Sequence, residues 1–513
     1  MRRIASFLGC FALAGCVVGP NYVEPPQTVP RAYGEAVAPP VAGEADRGRW
    51  WQALGDTTLD GLVRDALKDS PDIGIAVARI ARARAEARVA RAAALPEADA
   101  QGGFNYERFS KNAGLSSLSS LFGGGAGGGS GTSGGNGSGS SGGGIAAPGD
   151  SIHTYSVGFD ASWELDLFGG VTRRIEGAQA RAQAAEWNAR DAQLSLIAEI
   201  ADAYFQLRTF QAREAIARAE VARQQGQIEI MAHTAQAGLV PQGDFIRQRA
   251  ALADAEAQVG PIVAAGKAEM HALAVLTGRT PDALIDTLSN PAPPLPTLPD
   301  VPPGLPSELL RRRPDIRAAE RNLAAATADV GVAVADLYPH LSLTGMGEFI
   351  STALGNLLSS DSLQLTGAAT ATFPVLDFGR RSGQVAANRA AADEAYFDYK
   401  KTVLTALRDV EDALIRLHTE QERRASLAAG LTDAMRAAQT VEARYQTGLV
   451  NFGDVLQARQ SVLSDRSQLA DSDGMLRRDT LSLLKALGGG WEALPLDVPR
   501  AGAAAAVYTR RKR

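Results

Sequence analysis

The chain is poor in thiols. Of its 513 residues, only Cys10 and Cys16 are cysteines. Both fall in the first 16 positions, so a disulfide framework, a Cys-ligated metal and a cysteine nucleophile are excluded from the body of the protein. Its five histidines (His153, His233, His271, His340 and His418) form no HExxH motif. There is no basic excess. Lys and Arg total 52 against 57 for Asp and Glu, giving a net charge of −5. A nucleic-acid partner is therefore not expected. No run of 18 uncharged apolar residues follows the N-terminal leader, so no membrane-spanning helix is expected. There is no P-loop. A GxGxxG match at Gly123–Gly128 and a GxSxG match at Gly131–Gly135 both lie in a Gly/Ser tract without strand-turn-helix context, so neither signals a site. An enzyme is not expected, and neither is a metal or a soluble cofactor.

What is present begins at the N-terminus. Arg2 and Arg3 precede an apolar run over residues 4–14 that is too short to span a bilayer. The run ends in Leu13-Ala14-Gly15-Cys16, which resembles a bacterial lipoprotein box. That resemblance implies removal of residues 1–15 and covalent lipid on Cys16. Position 17 is Val, whereas an Asp in this class favours inner-membrane retention, so the outer membrane is implied. Several acyl chains on one residue anchor stably.

Proline is missing between Pro148 and Pro241 and again between Pro374 and Pro495. Each gap contains an alanine-rich run of more than 60 residues. The first, at about 1.5 Å per residue, makes a rod of about 100 Å. Ile197, Ile200, Tyr204 and Leu207 repeat at spacings of 3 and 4, as do Val403, Leu407, Val410, Leu414 and Leu417. This is the seam of helices packed lengthwise.

Shorter segments alternate with period two. Val157, Phe159, Ala161, Trp163 and Leu165 are apolar, and their neighbours are small or polar. The same pattern runs through 98–109, 340–350 and 363–373. The order of elements occurs twice. Pro71-Asp72-Ile73 recurs as Pro314-Asp315-Ile316, Phe168-Gly169 as Phe378-Gly379, and Gly238-Leu239-Val240 as Gly448-Leu449-Val450. The reading is a tandem duplication. A lipidated strap covers 16–49. The first repeat covers 50–290, with strands near 98–109 and 154–165 and long helices at 169–237 and 242–278. A Pro-rich linker covers 291–306. The second repeat covers 307–490, with strands near 340–350 and 363–373 and long helices at 379–447 and 453–487. A tail covers 491–513. The Gly/Ser tract at 114–149 is an insert in the first copy alone. It cannot bury enough apolar surface to offset chain entropy, so a flexible loop is expected.

Strands of about 10 residues with one apolar face suit an outer-membrane barrel wall. A small soluble sheet packed on the helices is the alternative. Phe104, Tyr106, Trp163, Phe349, Phe373 and Phe378 lie near strand ends, as in an interfacial girdle. Four strands cannot close a barrel, and open edges in lipid leave backbone groups unpaired. If the strands are in the membrane, several chains must share one barrel.

Cys16 followed by Gly19-Pro20-Asn21-Tyr22, the two repeats, the Asp-Leu-Phe-Gly and Asp-Phe-Gly junctions and the paired Gly-Leu-Val turns together resemble the TolC-like outer-membrane efflux family, most of all its lipoprotein branch, sometimes called NodT-type. The similarity covers nearly the whole mature chain. It implies a mainly α fold with a small β part, assembled as a homotrimer. Four strands per chain would build a shared 12-stranded barrel, continuous with a periplasmic α-helical coiled-coil barrel. It implies export of drugs, metals or other small molecules, in partnership with a periplasmic adaptor and an inner-membrane pump of the resistance–nodulation–division (RND) type. Two other functions stay open: the outlet of an ATP-driven type I protein-secretion system, and a periplasmic coiled-coil scaffold or adaptor lipoprotein.

By the same resemblance the turns Gly238-Leu239-Val240 and Gly448-Leu449-Val450 form the periplasmic tip and contact the adaptor. Asp244, Asp454 and Tyr445 become gate residues, with a hydrogen bond such as Tyr445 to Asp244 holding the tip shut. The family's second gate acid falls on Gln457 and its usual basic residue on Val450. Both departures weaken the match to a salt-bridged gate. The alternative is that Asp244 and Asp454 serve only as helix caps, since a carboxylate in the first turn is favoured by the helix dipole.

Overall fold

In a computed structural model, residues 17–26, 29–36, 49–108, 110, 151–236, 241–290, 304 and 306–491 are described. Cys16, the Gly/Ser insert, the turn residues Gly238, Leu239 and Val240, most of the Pro-rich linker and nearly all of the tail lie outside the described residues.

After a short turn at Trp50–Leu54 come helices α1 (Thr57–Asp69) and α2 (Pro71–Ala92) and strands β1 (Glu97–Arg108) and β2 (Ser151–Leu165). Helix α3 (Gly170–Gln236), helix α4 (Gln242–Leu276) and a single turn, α5 (Ile285–Leu288), follow. The later half has α6 (Pro306–Arg312), α7 (Pro314–Ala335), β3 (His340–Ser351), β4 (Leu363–Thr372), α8 (Arg380–Gln446) and α9 (Phe452–Ala486). Helices α3 and α8 have 67 residues each, and α4 and α9 have 35 each. The fold is mainly helical with one small antiparallel sheet.

The chain divides into two compact units. One holds residues 17–19, 88–175 and 331–386. Its sheet has the order β1-β2-β3-β4, antiparallel throughout. Each strand-to-helix junction is shaped by an aspartate. Asp166 accepts from the N–H groups of Val171 at 3.1 Å and Thr172 at 2.7 Å, capping α3. Asp377 accepts from those of Gly379 at 3.0 Å and Arg381 at 3.2 Å, capping α8. The orphan donors of a helix start are met this way.

The other unit holds the remaining lengths of the helices and two cores. In the first core, Ile197, Ile200, Tyr204 and Leu207 of α3 meet Leu59 and Leu62 of α1, Leu273 of α4 and Leu484 of α9, under Trp50 and Trp51. In the second, Val403, Val410 and Leu414 of α8 meet Leu309, Ile316 and Leu483, under Tyr33 of the N-terminal strap. Spacings of 3 and 4 put these side chains on one stripe of each long helix.

Helix α4 holds no run of 18 uncharged apolar residues. By length and composition it is apolar enough to cross a bilayer, with a mean hydropathy of 1.3 over its most apolar 18 residues. Val259, Ile262, Val263, Leu273, Val275 and Leu276 raise this value most, while alanine and glycine, with little bulk, allow close packing on α3. A Cβ placed on Gly266 would sit 3.5 Å from Phe210 Cβ. Met270, Leu273 and Ala274 enter the first core.

Candidate functional site

The sheet register sorts the middle of the strands largely by polarity, with Met346 an exception on the polar face. Directly paired residues of an antiparallel sheet share a face. The pairs Phe104↔Tyr155, Gly102↔Val157 and Ala100↔Phe159 continue across β3 as Val157↔Phe349, Phe159↔Gly347 and Trp163↔Leu343. They end on β4 as Phe349↔Leu363, Gly347↔Leu365 and Leu341↔Ala371. All these residues are apolar. The other face pairs Asp99↔Asp160, Glu164↔Ser342, Glu348↔Gln364 and Ser342↔Thr370. The apolar face is uncovered: Phe104 is 60% exposed, Phe159 69% and Leu365 76%. In water such a continuous patch is unfavourable, whereas in lipid it is the required outer surface. Strands β1 and β4 have no partner on their outer edges among the described residues. A lipid-embedded edge must pair with another chain.

The α8–α9 turn, expected to form the tip, packs near the start of α4. Gly448 adopts φ +73. Its N–H reaches Tyr445 O at 2.9 Å, and that of Leu449 reaches Arg444 O at 2.9 Å. This double bond pattern closes a helix on a left-handed residue, a conformation that glycine adopts without strain. Leu449 is left exposed. Asn451 then starts α9. Its side chain accepts from the Asp454 N–H at 3.1 Å, and the Asp454 carboxylate accepts from the Asn451 N–H at 3.0 Å. Asp454 is thus an exposed member of a capping box.

Asp244 differs. It is buried in the first turn of α4, and its carboxylate pairs with Arg247 on the same helix. Tyr445 lies close enough that burial, reinforced by the Asp244 charge, pushes its hydroxyl above the ordinary tyrosine range. Among the described residues of this single chain Tyr445 and Asp244 make no hydrogen bond, and Arg247, one turn along, pairs with the carboxylate. Tyr445 instead packs on Phe452, with ring centroids 5.6 Å apart, in an apolar cluster with Met231 and Val455. So the fold brings Asp244 and Tyr445 together and leaves Asp454 in its own cap. Sequence reasoning missed Arg247, Asn451, Met231 and Phe452. The i+3 spacing from Asp244 and the Asn-x-x-Asp pattern were the available signals.

A family profile described as outer membrane efflux protein matches residues 62–279 and 305–489. The chain belongs to this family. It is similar to the pyoverdine export outer membrane protein OpmQ of Pseudomonas aeruginosa, 28% identical over 500 residues, covering 96% of this chain and 98% of that protein. It is also similar to nodulation protein T of Rhizobium leguminosarum bv. viciae, 28% identical over 507 residues, covering 97% and 95%. Its fold matches the solved structure of the outer-membrane channel OprN with a TM-score of 0.80 and 32% identity, covering 93% of this chain and all of that one. The protein is an outer-membrane efflux channel that extends into the periplasm. TolC-family channels are homotrimers that work with periplasmic adaptors and inner-membrane pumps of the RND type. The open β1 and β4 edges fit that assembly.

Proposed function

We propose that the chain is the exit duct of a tripartite pump that expels small molecules such as drugs or metals, with no catalytic step of its own. The observation that carries this reading is the register, which gathers Phe104, Val157, Phe159, Trp163, Phe349 and Leu365 on one face of a sheet whose two edges are unpaired among the described residues. A relative 28% identical carries pyoverdine export in its name, and export of a small organic cargo fits the absence of any catalytic motif outside the Gly/Ser tract. In this reading Cys16 carries lipid and no other cofactor is needed. The turns at Gly238, Leu239, Val240 and at Gly448, Leu449, Val450 receive the adaptor, and Asp244, Tyr445 and Asp454 border the opening.

Two measurements test it. The purified protein should migrate as a heat-resistant trimer and give discrete single-channel conductance in planar bilayers. A monomer without conductance would support a scaffold instead. Cys16→Ser should abolish metabolic palmitate labelling, and labelling at the wild-type level would remove the lipid claim.

A further inference from the structure

Helix α4 buries two unlike halves. In the far half Met270, Leu273 and Ala274 enter the first core. The half nearer Gln242 buries Asp244, Gln248 and Ala255 instead, two polar side chains and a methyl. Between the halves stands Pro261, inside the helix and preceded by Gly260. Proline has no N–H for the carbonyl four residues back, and its ring crowds that carbonyl, so a helix bends most readily there. The duplication supplies a comparison. The spacing that relates Asp244 to Asp454 sets Ala458, Ala470 and Asp471 of α9 against Gln248, Gly260 and Pro261. Helix α9 has no proline, and it buries Phe452 and Val455 at its own tip end.

Gln248 is fully buried, and neither its Nε2 nor its Oε1 has a hydrogen-bond partner. It is the one side-chain amide among the described residues with both polar atoms in that state. The burial is complete within one chain. A neighbouring subunit therefore cannot reach the amide in this arrangement, and no water-sized space adjoins it. Gln248 follows Asp244 by four residues, so both lie on one face of α4. That face meets α8, because the Asp244 charge acts on Tyr445. The amide thus sits at the seam between the α3/α4 pair and the α8/α9 pair. A buried amide without partners loses the hydrogen bonds that water would give it.

We propose that residues 242–259 are a moving arm of the gate, hinged at Gly260-Pro261, and that the unpaired Gln248 amide keeps the closed packing metastable. When the seam parts, water reaches the amide, and the open arrangement regains hydrogen bonds that the closed one lacks. The far half of α4 stays in the first core, so the bend falls at the proline. The inference rests on the duct function proposed above, with this end as its periplasmic opening.

Recordings in planar bilayers test it. Gln248→Met keeps the length of the side chain and removes its unmet polar groups. It should lower the resting open probability about tenfold and raise the melting temperature of the trimer. Pro261→Ala restores the missing helical hydrogen bond and should lower the open probability severalfold. Gln225→Met is the control, because the Gln225 amide is exposed and reaches Glu256 at 3.4 Å. It should leave both quantities unchanged. Wild-type open probability in Gln248→Met or in Pro261→Ala would overturn the arm. So would a fall in melting temperature for Gln248→Met, which would show that the amide is satisfied in the folded chain. Should Gln248→Met form no heat-resistant trimer, Gln248→Cys gives a second readout, since Cys16 carries lipid in the proposed mature chain. Alkylation of that thiol by a water-soluble maleimide should slow severalfold when Pro261→Ala is added. Equal rates would place residue 248 away from any moving seam and overturn the arm. Absence of discrete conductance in the wild type would overturn the duct function itself.

Discussion

The two copies keep the same packed helices and roof them differently. In the first copy the core under Ile200 and Tyr204 is closed by Trp50, Trp51 and α1. The Tyr204 hydroxyl donates to Asp56 at 2.6 Å, and Asp56 also caps α1 through the Thr58 N–H at 2.9 Å. The roof is local secondary structure, fastened by one carboxylate. In the second copy the core under Val403 and Val410 is closed partly by the strap. Tyr22 donates to Glu320 at 2.6 Å, and Glu411 accepts the N–H groups of Gly34 at 2.8 Å and Glu35 at 3.0 Å. Here the roof is extended chain, held by side-chain carboxylates from the helices beneath. Duplication conserved the long-helix stripe, because a lengthwise seam tolerates little change. The cover, which meets the core on one side only, was free to diverge.

The sharpest way to break this comparison is to remove one roof at a time. Trp51, 3% exposed, anchors the first. Trp51→Ala should cost about 3–5 kcal/mol, as expected for deleting a buried aromatic. Tyr33→Ala in the second copy should cost less, since Tyr22 and Glu411 still hold the strap. Denaturant unfolding of the detergent-solubilised protein measures both. Equal losses would mean that the strap is as integral as α1.

The tips extend the comparison. Asp244 is buried and paired with Arg247, whereas Asp454 is exposed in a capping box. Asp244→Ala combined with Tyr445→Ala should raise resting conductance, since it removes the Asp244–Arg247 pair and the Tyr445–Phe452 ring contact, each worth about 1 kcal/mol and repeated in every subunit of a trimer. Asp454→Asn keeps a capping acceptor and removes a charge, so cation selectivity should fall without loss of helix stability. Planar-bilayer recordings decide. Wild-type conductance and selectivity in both variants would leave the two aspartates as caps only.

Much of this architecture was legible in the sequence, for a physical reason. Long proline-free helices and period-two strands repeat one local rule many times, so single exceptions do not blur them. Strand ends fell within three residues of expectation, at 97–108 against 98–109 and 151–165 against 154–165. The tip was less legible. Asp244 and Asp454 occupy matching positions in sequence, yet one is buried and the other exposed. Burial depends on what packs across, here Met231 against Phe452, and residue spacing carries no such information. The apolarity of α4 was also missed, because counting uninterrupted runs overlooks an alanine-rich helix carrying Lys267 and Glu269.

A pH titration probes the strap more gently. Burial raises the pKa of Glu320, but hydrogen bonds from Arg321 and Tyr22 outweigh this and hold the carboxyl below its ordinary 4.5. A depressed folded pKa contributes stability above the unfolded value, and that contribution is lost as pH falls through the folded one. Wild type should therefore melt above Glu320→Gln at neutral pH, and the gap should narrow below pH 4.5. A gap that stays constant down to pH 3 would mean that the Glu320 charge does not fasten the strap.

The smallest effect is expected where the copies differ most in length. The β1–β2 connection carries the Gly/Ser insert at 114–149, while β3 and β4 are joined by residues 352–362 alone. Arg108 and Ser151, at the ends of the longer connection, are already register partners, so a short loop can join them. Each doubling of loop length costs only about 0.6 kcal/mol. Shortening the loop therefore removes an entropic cost and no contact that the sheet register needs. Deleting 114–149 should leave trimer migration, conductance and efflux at wild-type levels. Loss of the trimer would show that the tract packs against a neighbour. Lost efflux with an intact trimer would mean that it acts on cargo at the outer end of the channel.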